Sequence, residues 1–369
     1  MPALFDFPTI LLGDIHGNRT LLTRALTDLG LLDAAGHWCG GARRLIQLGD
    51  MIDRGPEPLD TLDLLMRLQR EAAGAGGEVT CLLGNHELMA LRAADGDHEM
   101  RIGWAYNGAG ADLMQWAARR GATVDPCALP YPEEFFAEFS PTAPYGRWLR
   151  SLPVAALAGE YVAVHAGWTP DGPDDIATAN AAGLQGFQRI HNLLWARRQP
   201  AEEIAAACAR LGCRGLVAGH SVQAGIVTSA GGRLIQIDVG MYWHGTWAAL
   251  GLAEDGRLWT LVEGEVPAPI EGDGLVPVPR RVEASHEKDT TPRFGNGDLL
   301  RIYRAADGVF AQYMRIEGLG EMMGHPAYTG RIITCDAGQW AARPSTYFCE
   351  RIDIYGRPAG PDEIPADLL

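Results

Sequence analysis

Gly13-Asp14-Ile15-His16-Gly17, behind the apolar run Thr9-Ile10-Leu11-Leu12, is the stretch on which the fold turns, because strings of the same chemistry recur after it at nearly equal intervals. Gly49-Asp50-Met51-Ile52-Asp53-Arg54-Gly55 follows Leu45-Ile46-Gln47-Leu48, and Gly84-Asn85-His86-Glu87 follows Val79-Thr80-Cys81-Leu82-Leu83. Asp14 and Asp50 are 36 residues apart, and Asp50 and Asn85 are 35 apart. A strand–helix–strand unit takes about 30 residues or more. Helices fit both intervals. Asn18 is placed to cap one in which Leu21, Leu22, Ala25, Leu26 and Leu29 recur before Gly30, and Pro56 and Pro58 open another carrying Leu59, Leu62, Leu65, Met66 and Leu68 before Gly74-Ala75-Gly76-Gly77. The spacing therefore puts each polar string at the carboxyl end of a successive strand, where open α/β sheets bind ligands.

Two further strings follow: Val164-His165-Ala166-Gly167 behind the apolar run at Tyr161, and Ala218-Gly219-His220-Ser221 behind Leu216-Val217. Gly225–Ser229 and Leu234–Ile237, joined by Ala230-Gly231-Gly232, read as a hairpin, and Trp247–Leu252 with Leu258–Val262 as another strand pair. Residues 88–150 scatter Trp104, Tyr106, Trp116, Phe135, Phe136, Phe139 and Trp148 over helical spacing. They predict a helical insertion placed to cap the site, with aromatics that either face the pocket or pack the insertion onto the domain. Residues 1–264 thus form one domain, the proline-, glycine- and charge-rich 265–292 a linker, and 293–369 a small, mostly β module with short runs at Leu299–Tyr303, Phe310–Met314 and Arg331–Cys335. That module shows no chemical constellation.

The five strings supply carboxylate, amide and imidazole donors, the set that paired divalent cations require. Any one alone is an ordinary capped turn or a satisfied core histidine; five in order make a site. Asp14, His16 and Asp50 suit one cation, and Asp50, Asn85, His165 and His220 the other, with Asp50 bridging. Two cations ~3.5–4 Å apart share a hydroxide and polarise the attacking and leaving oxygens of an in-line displacement. Oxygen and nitrogen donors without thiolate fit Mn, Fe or Zn. Arg54 offers a planar fork for two phosphate oxygens. His86 is placed to protonate a leaving alkoxide, and Asp53 to hold His86 in the right tautomer. Gly13, Gly49, Gly84 and Gly219 are expected to permit sharp turns before each donor.

A formal charge of −15 over 369 residues argues against nucleic acid and against an anionic membrane surface as partners. No apolar run approaches the ~20 residues of a membrane-spanning helix. The start, Met1-Pro2-Ala3-Leu4-Phe5-Asp6, lacks the basic and apolar regions of a signal peptide. Seven cysteines without Cys-x-x-Cys spacing read as reduced thiols, and the chain as cytoplasmic. The oligomeric state is not legible.

In order, these strings match Gly-Asp-x-His-Gly, Gly-Asp-x-x-Asp-Arg-Gly, Gly-Asn-His-Glu, His-(Gly/Ala)-Gly and Gly-His. The chain thereby resembles the calcineurin-like metallophosphoesterase superfamily over about residues 9 to 260. The resemblance implies a mixed α/β (α+β) fold, a central β-sandwich flanked by helices with a dinuclear metal site at the strand ends, which replaces the open sheet that the first half suggests. Asp53-Arg54-Gly55 and Glu87 are similar to the phosphoprotein phosphatase branch. Leu194-Trp195-Ala196-Arg197, Gly219-His220-Ser221-Val222-Gln223 and Ile237-Asp238-Val239-Gly240-Met241 are similar to Shewanella-like bacterial phosphatases, a group associated with phosphotyrosine as well as phosphoserine and phosphothreonine. By that resemblance Arg197 joins Arg54 as a phosphate-binding residue. The Leu-Trp-Ser-Asp-Pro and Ser-Ala-Pro-Asn-Tyr strings of the eukaryotic serine/threonine enzymes are replaced here, and His165-Ala166-Gly167 is also similar to symmetrical dinucleoside tetraphosphate hydrolases. The expected activity is hydrolysis of phosphoprotein or small phosphate-ester substrates. The alternative is a nucleotide phosphoanhydride, which a base-stacking aromatic such as Trp104 or Tyr106 would favour. An inactive phosphate-binding scaffold is a third reading, opposed by the complete donor set.

Overall fold

Four-residue apolar runs build the strands that carry the site. The computed structural model describes residues 7–126, 130–183, 186–197, 199–279, 297–303, 310–322, 325–336, 339–348 and 356–358. β1 (Thr9–Leu12), α1 (Arg19–Asp28), β2 (Arg44–Gln47), α2 (Pro58–Gly74) and β3 (Glu78–Cys81) follow the alternation that the spacing predicts. The Asn18 side chain accepts from the Leu21 amide at 3.0 Å and caps α1, while Pro58 opens α2. α1 and α2 bury their leucine faces. β1, β2 and β3 pair in parallel, so their carboxyl ends lie side by side.

The insertion is helical throughout its described elements: α3 (Asn85–Ala94), α4 (His98–Asn107), α5 (Gly110–Ala118), α6 (Glu133–Ala137) and α7 (Pro144–Arg150). Its aromatics pack on one another. The Trp104 ring stacks on Phe135 at 5.3 Å and 12° and meets Phe139 edge-on at 5.1 Å, so this cluster is interior and not a lid over the pocket.

Next come β4 (Ala155–Ala158), β5 (Tyr161–Val164), α8 (Ile176–Ala182), α9 (Phe187–Trp195), α10 (Ala201–Leu211), β6 (Gly215–Ala218), β7 (Gly225–Ser229), β8 (Leu234–Gln236), α11 (Met241–His244), β9 (Ala248–Leu252), β10 (Leu258–Val262), β11 (Ala268–Pro269) and β12 (Gly274–Pro277). One six-stranded sheet runs β11-β10-β9-β1-β2-β3, the other β12-β7-β8-β6-β5-β4. Leu11, Ile46, Leu250 and Val262 from the first share an apolar cluster with Ala163, Val217, Ile226 and Ile235 from the second. This is the expected sandwich with flanking helices. Its symmetry places the site, since β5, β6 and β8 are also mutually parallel. Each sheet thus contributes three strand ends.

The stretch expected as a linker differs in its described part. β11 pairs with β10 and β12 with β7, each at a sheet edge. Proline is tolerated there because an edge strand leaves one row of amides unpaired, so a composition that reads as linker also suits an edge. Residues 280–292 lie outside the described ones.

Two compact units emerge, residues 1–123 with 132–282, and 124–131 with 283–369. The second holds an antiparallel sheet ordered β16-β15-β14-β13-β17, from β13 (Leu299–Tyr303), β14 (Phe310–Met322), β15 (His325–Asp336), β16 (Gln339–Phe348) and β17 (Gly356–Pro358). The β14–β15 pairing runs well past the short expected segments, with a register shift between Ile316 and Gly318. Among the described residues no helix is long and apolar enough to cross a membrane. Cys39, Cys81, Cys208 and Cys213 are free thiols, while Cys127 and Cys349 lie outside the described residues.

Candidate metal and phosphate site

Six strand ends converge. β1 delivers Asp14 and His16, β2 Asp50, β3 Asn85 and His86, β5 His165, β6 His220 and β8 Asp238, all buried. Backbone bonds lace these loops together. The Ile15 and His16 amides donate to the Asp50 carbonyl at 3.1 and 2.9 Å, the Gly55 amide to His16 at 3.0 Å, and the Gly219 amide to His165 at 2.8 Å. Six described non-glycine residues have positive φ, and five of them are His16, Asp50, Asp53, Arg54 and His220. Such backbone costs about 1–3 kcal/mol per residue and persists only where its surroundings over-determine it. Of the four glycines expected to turn sharply, Gly49 alone has positive φ, +96°, and a Cβ there would lie 2.7 Å from the Gly84 nitrogen. At Gly13, Gly84 and Gly219 the need is close approach: a Cβ would meet Ile237, Asp50 and Asp14 respectively.

Glu87 explains how Asp50 is held. One carboxylate oxygen accepts from the Gly84 and Asp50 amides, both at 2.9 Å, and the other from Met51 at 2.7 Å and Ile52 at 3.2 Å. Burial and the nearby Asp50 push its pKa up to about 7, while the amide donors act in the opposite direction. Glu87→Gln turns an NH2 toward two of those amides, and each amide left without an acceptor costs about 1–3 kcal/mol. Thermal unfolding of this variant is expected to show a stability loss of about 2–6 kcal/mol on that basis; an unchanged melting temperature would contradict the role.

The donors form two trios that share one carboxylate. His16, Asp50 and His86 place ligand atoms within 4.8 Å of one another, and so do Asp50, His165 and His220. Asp50 Oδ2 is 3.5 Å from His16 Nε2 and 3.7 Å from His86 Nε2, and its Oδ1 is 3.4 Å from His165 Nε2. Asn85 Oδ1 lies 3.0 Å from His165 Nε2. Asp14, expected beside His16, points its carboxylate at the His220 amide, 3.1 Å from each oxygen. The far nitrogens are fixed: His16 Nδ1 is 3.0 Å from the Ile52 carbonyl and His165 Nδ1 2.7 Å from that of Leu48. This outer-shell pattern leaves each Nε2 lone pair facing inward.

Electrostatics agree with a cation-binding role. Burial lowers the pKa of His16 and His86, of His165 to about 4 and of His220 to about 2, so the three imidazoles expected as ligands, His16, His165 and His220, are neutral donors near pH 7. Burial also raises Asp50 to about 7 and Asp238 to about 6, and burial with Asp238 and Asp50 raises Asp14. His220 Nε2 and Asp238 Oδ2 are buried with no hydrogen-bond partner. Crowded carboxylates, neutral imidazoles and orphaned buried donors form a set that two divalent cations fit.

Arg54 spans the centre of the site. Its Nη1 is 2.7 Å from His16 Nε2 and its Nη2 3.0 Å from His86 Nε2. Behind it, His86 Nδ1 bonds to Asp53 Oδ2. Trp104 Nε1 donates to Asp53 Oδ1 at 2.7 Å, and the Asp53 amide donates to Asp112 Oδ2 at 3.1 Å. Trp104 is therefore a fully buried supporting residue and no base-stacking platform. The side chain of Tyr106 lies outside the described part. Arg197 Nη1 donates to the His220 carbonyl at 3.2 Å. His244 ends α11 with Nδ1 2.7 Å from the Val239 carbonyl. Sequence reasoning assigned no role to Glu87, Asp112, Asp238 or Tyr242. Asp238 directly follows an apolar strand, the same signal that marks the other donors; Asp112 carries none.

The pattern of the calcineurin-like phosphoesterase family matches residues 7–224. A Shewanella-like protein phosphatase 2 of Arabidopsis thaliana is 28% identical over 277 residues, 63% of this chain and 71% of that protein. A symmetrical bis(5'-nucleosyl)-tetraphosphatase of Dechloromonas aromatica is 29% identical over 193 residues, 51% of this chain and 55% of that one. In fold, the crystal structure of a cold-active protein-tyrosine phosphatase of a psychrophile, Shewanella sp., superposes with a TM-score of 0.55 at 20% identity, covering 71% of this chain and 80% of that one. With strand ends, donor trios and sequence pattern in agreement, this chain belongs to the calcineurin-like phosphoesterases, hydrolases of phosphate esters with a dinuclear divalent-metal site.

Proposed function

We propose that the chain is a metal-dependent phosphomonoesterase that dephosphorylates phosphoproteins, at phosphotyrosine and/or phosphoserine and phosphothreonine. The observation that carries this reading is the hydrogen-bonded series Trp104–Asp53–His86–Arg54 abutting the two trios that share Asp50. Asp14, His16, Asp50, Asn85, His165 and His220 would hold two divalent cations, Mn, Fe or Zn, with Mn the choice in vitro. Bound there, paired cations supply Lewis-acid poles for the phosphoryl oxygens and a water activated at neutral pH. Arg54 clamps two phosphoryl oxygens through its fork, and Arg197, beside His220, adds a second positive pole. His86 presents Nε2 to the leaving-group oxygen and, in its doubly protonated form, gives up the Nε2 proton there, while Asp53 keeps Nδ1–H paired and so fixes the ring. Trp104 and Asp112 hold Asp53 in place from the insertion.

The test compares three substrates on Mn-loaded protein, with chelated protein as the blank: a phosphotyrosine peptide, a phosphoserine peptide and a dinucleoside tetraphosphate. Faster turnover of either peptide is expected. Preference for the dinucleotide would overturn the substrate while keeping the metal chemistry, and no turnover beyond the blank would overturn the enzyme.

A further inference from the structure

We infer that Tyr242 and Trp243 form a seat for the aryl ring of an aromatic phosphate ester on the leaving-group side of the site. This seat rests on the phosphomonoesterase reading and refines its substrate class.

The seat is a single turn, α11, clamped between Gly240 and Gly245, both in the left-handed region at φ 63°. Asp238 Oδ1 accepts from the Gly240 amide at 2.9 Å, His244 Nδ1 meets the Val239 carbonyl, and Met241 is buried, so the turn is pinned from inside. It follows directly from β8, whose end contributes Asp238 to the site. A pinned turn sets its outward side chains at a defined place.

The Tyr242 ring meets His16 edge-on at 4.9 Å and 76°, and the Arg54 guanidinium carbon sits 5.3 Å from its centroid. Arg54 Nη1 reaches the Tyr242 hydroxyl at 3.4 Å while Nη2 reaches His86 Nε2 at 3.0 Å. One planar guanidinium therefore spans from the proposed proton donor to Tyr242. An ester oxygen that takes its proton from His86 lies within a guanidinium's width of that ring. The substituent on this oxygen is the leaving group, and it extends toward α11.

Trp243 continues the surface. Its ring lies 5.7 Å from that of Tyr242 at 78°, and the residue is 44% exposed, unlike the fully buried Trp104 and Trp247. Val222, two residues after His220, is also exposed, and its Cγ1 lies 3.0 Å from where a Gly240 Cβ would stand. Isolated exposed apolar side chains are ordinary; here two adjoin the same glycine turn beside the candidate ligands. A phenyl ring fits such a corner by edge-to-face contact, whereas a serine methylene reaches none of it.

The experiment uses the full-length Mn-loaded enzyme and two peptides differing only in phosphotyrosine or phosphoserine, with wild type, Trp243→Ala and Trp243→Phe compared. An aromatic contact of this kind predicts that Trp243→Ala lowers the phosphotyrosine-to-phosphoserine ratio of kcat/KM about three- to tenfold, and that Trp243→Phe restores most of it. Phenylphosphonate and methylphosphonate, which bind without turnover, should show the same narrowing in their inhibition constants. An unchanged ratio in Trp243→Ala, or equal losses on both peptides, would overturn the seat alone. Wild-type enzyme that turns over neither peptide would overturn the phosphomonoesterase reading and the seat with it.

Discussion

Asp50→Asn is expected to lose bound metal and to cut kcat by about a thousandfold or more, because a Lewis-acid pole is worth several kcal/mol of transition-state stabilisation. Asp50 is the one residue common to both donor trios, and its two oxygens face different imidazoles: Oδ1 faces His165, and Oδ2 faces His16 and His86. An amide in its place removes a negative charge and one of the two acceptor oxygens. The backbone around it should survive, since the loop is tied through the Asp50 amide and carbonyl to Glu87, Ile15 and His16 and not through the side chain alone. Elemental analysis after gel filtration should therefore show metal loss in a protein that still melts cooperatively. A variant with two metals and full rate would refute the bridging role.

The second large effect is specific to the leaving group. His86→Asn should lower kcat by about 10²–10⁴-fold on an alkyl phosphate, the usual contribution of a positioned general acid. Nitrophenyl phosphate, whose phenolate leaves without a proton, should lose far less. The geometry makes the contrast sharp, because His86 is held by Asp53 at Nδ1 and presents only Nε2 to the site. His86 also belongs to the trio of His16 and Asp50, so a ligand role is the competing reading. The two readings separate cleanly. A general acid gives unequal losses with metal content retained, and a ligand gives equal losses with metal content reduced.

The donor set was readable because cations dictate residue type: oxygen and imidazole donors after short apolar runs, each next to glycine. The helices between β1, β2 and β3 were readable because leucines at helical spacing end at glycines. The second half of the sandwich was less so. β1 pairs with β9, more than 230 residues away, and nothing local in Ala248–Leu252 names its partner; the resemblance supplied that architecture. Asp112 was silent for a related reason. It sits in an amphipathic helix where a carboxylate reads as solvated surface, and only the fold carries it to Asp53 across 59 positions. Trp104 announced a buried or stacking aromatic without saying which, and its hydrogen bond to Asp53 decides for the interior. Ala268–Pro269 and Gly274–Pro277 pair at sheet edges where their composition predicts a linker, since proline and glycine mark sheet edges as readily as loops.

Metal stoichiometry tests the central claim most directly. Chelated protein titrated with Mn2+, freed of excess and analysed for metal per chain, should bind two ions, with turnover of nitrophenyl phosphate rising as they load. One ion per chain at full activity, or turnover undiminished after chelation, would contradict the paired site around Asp50.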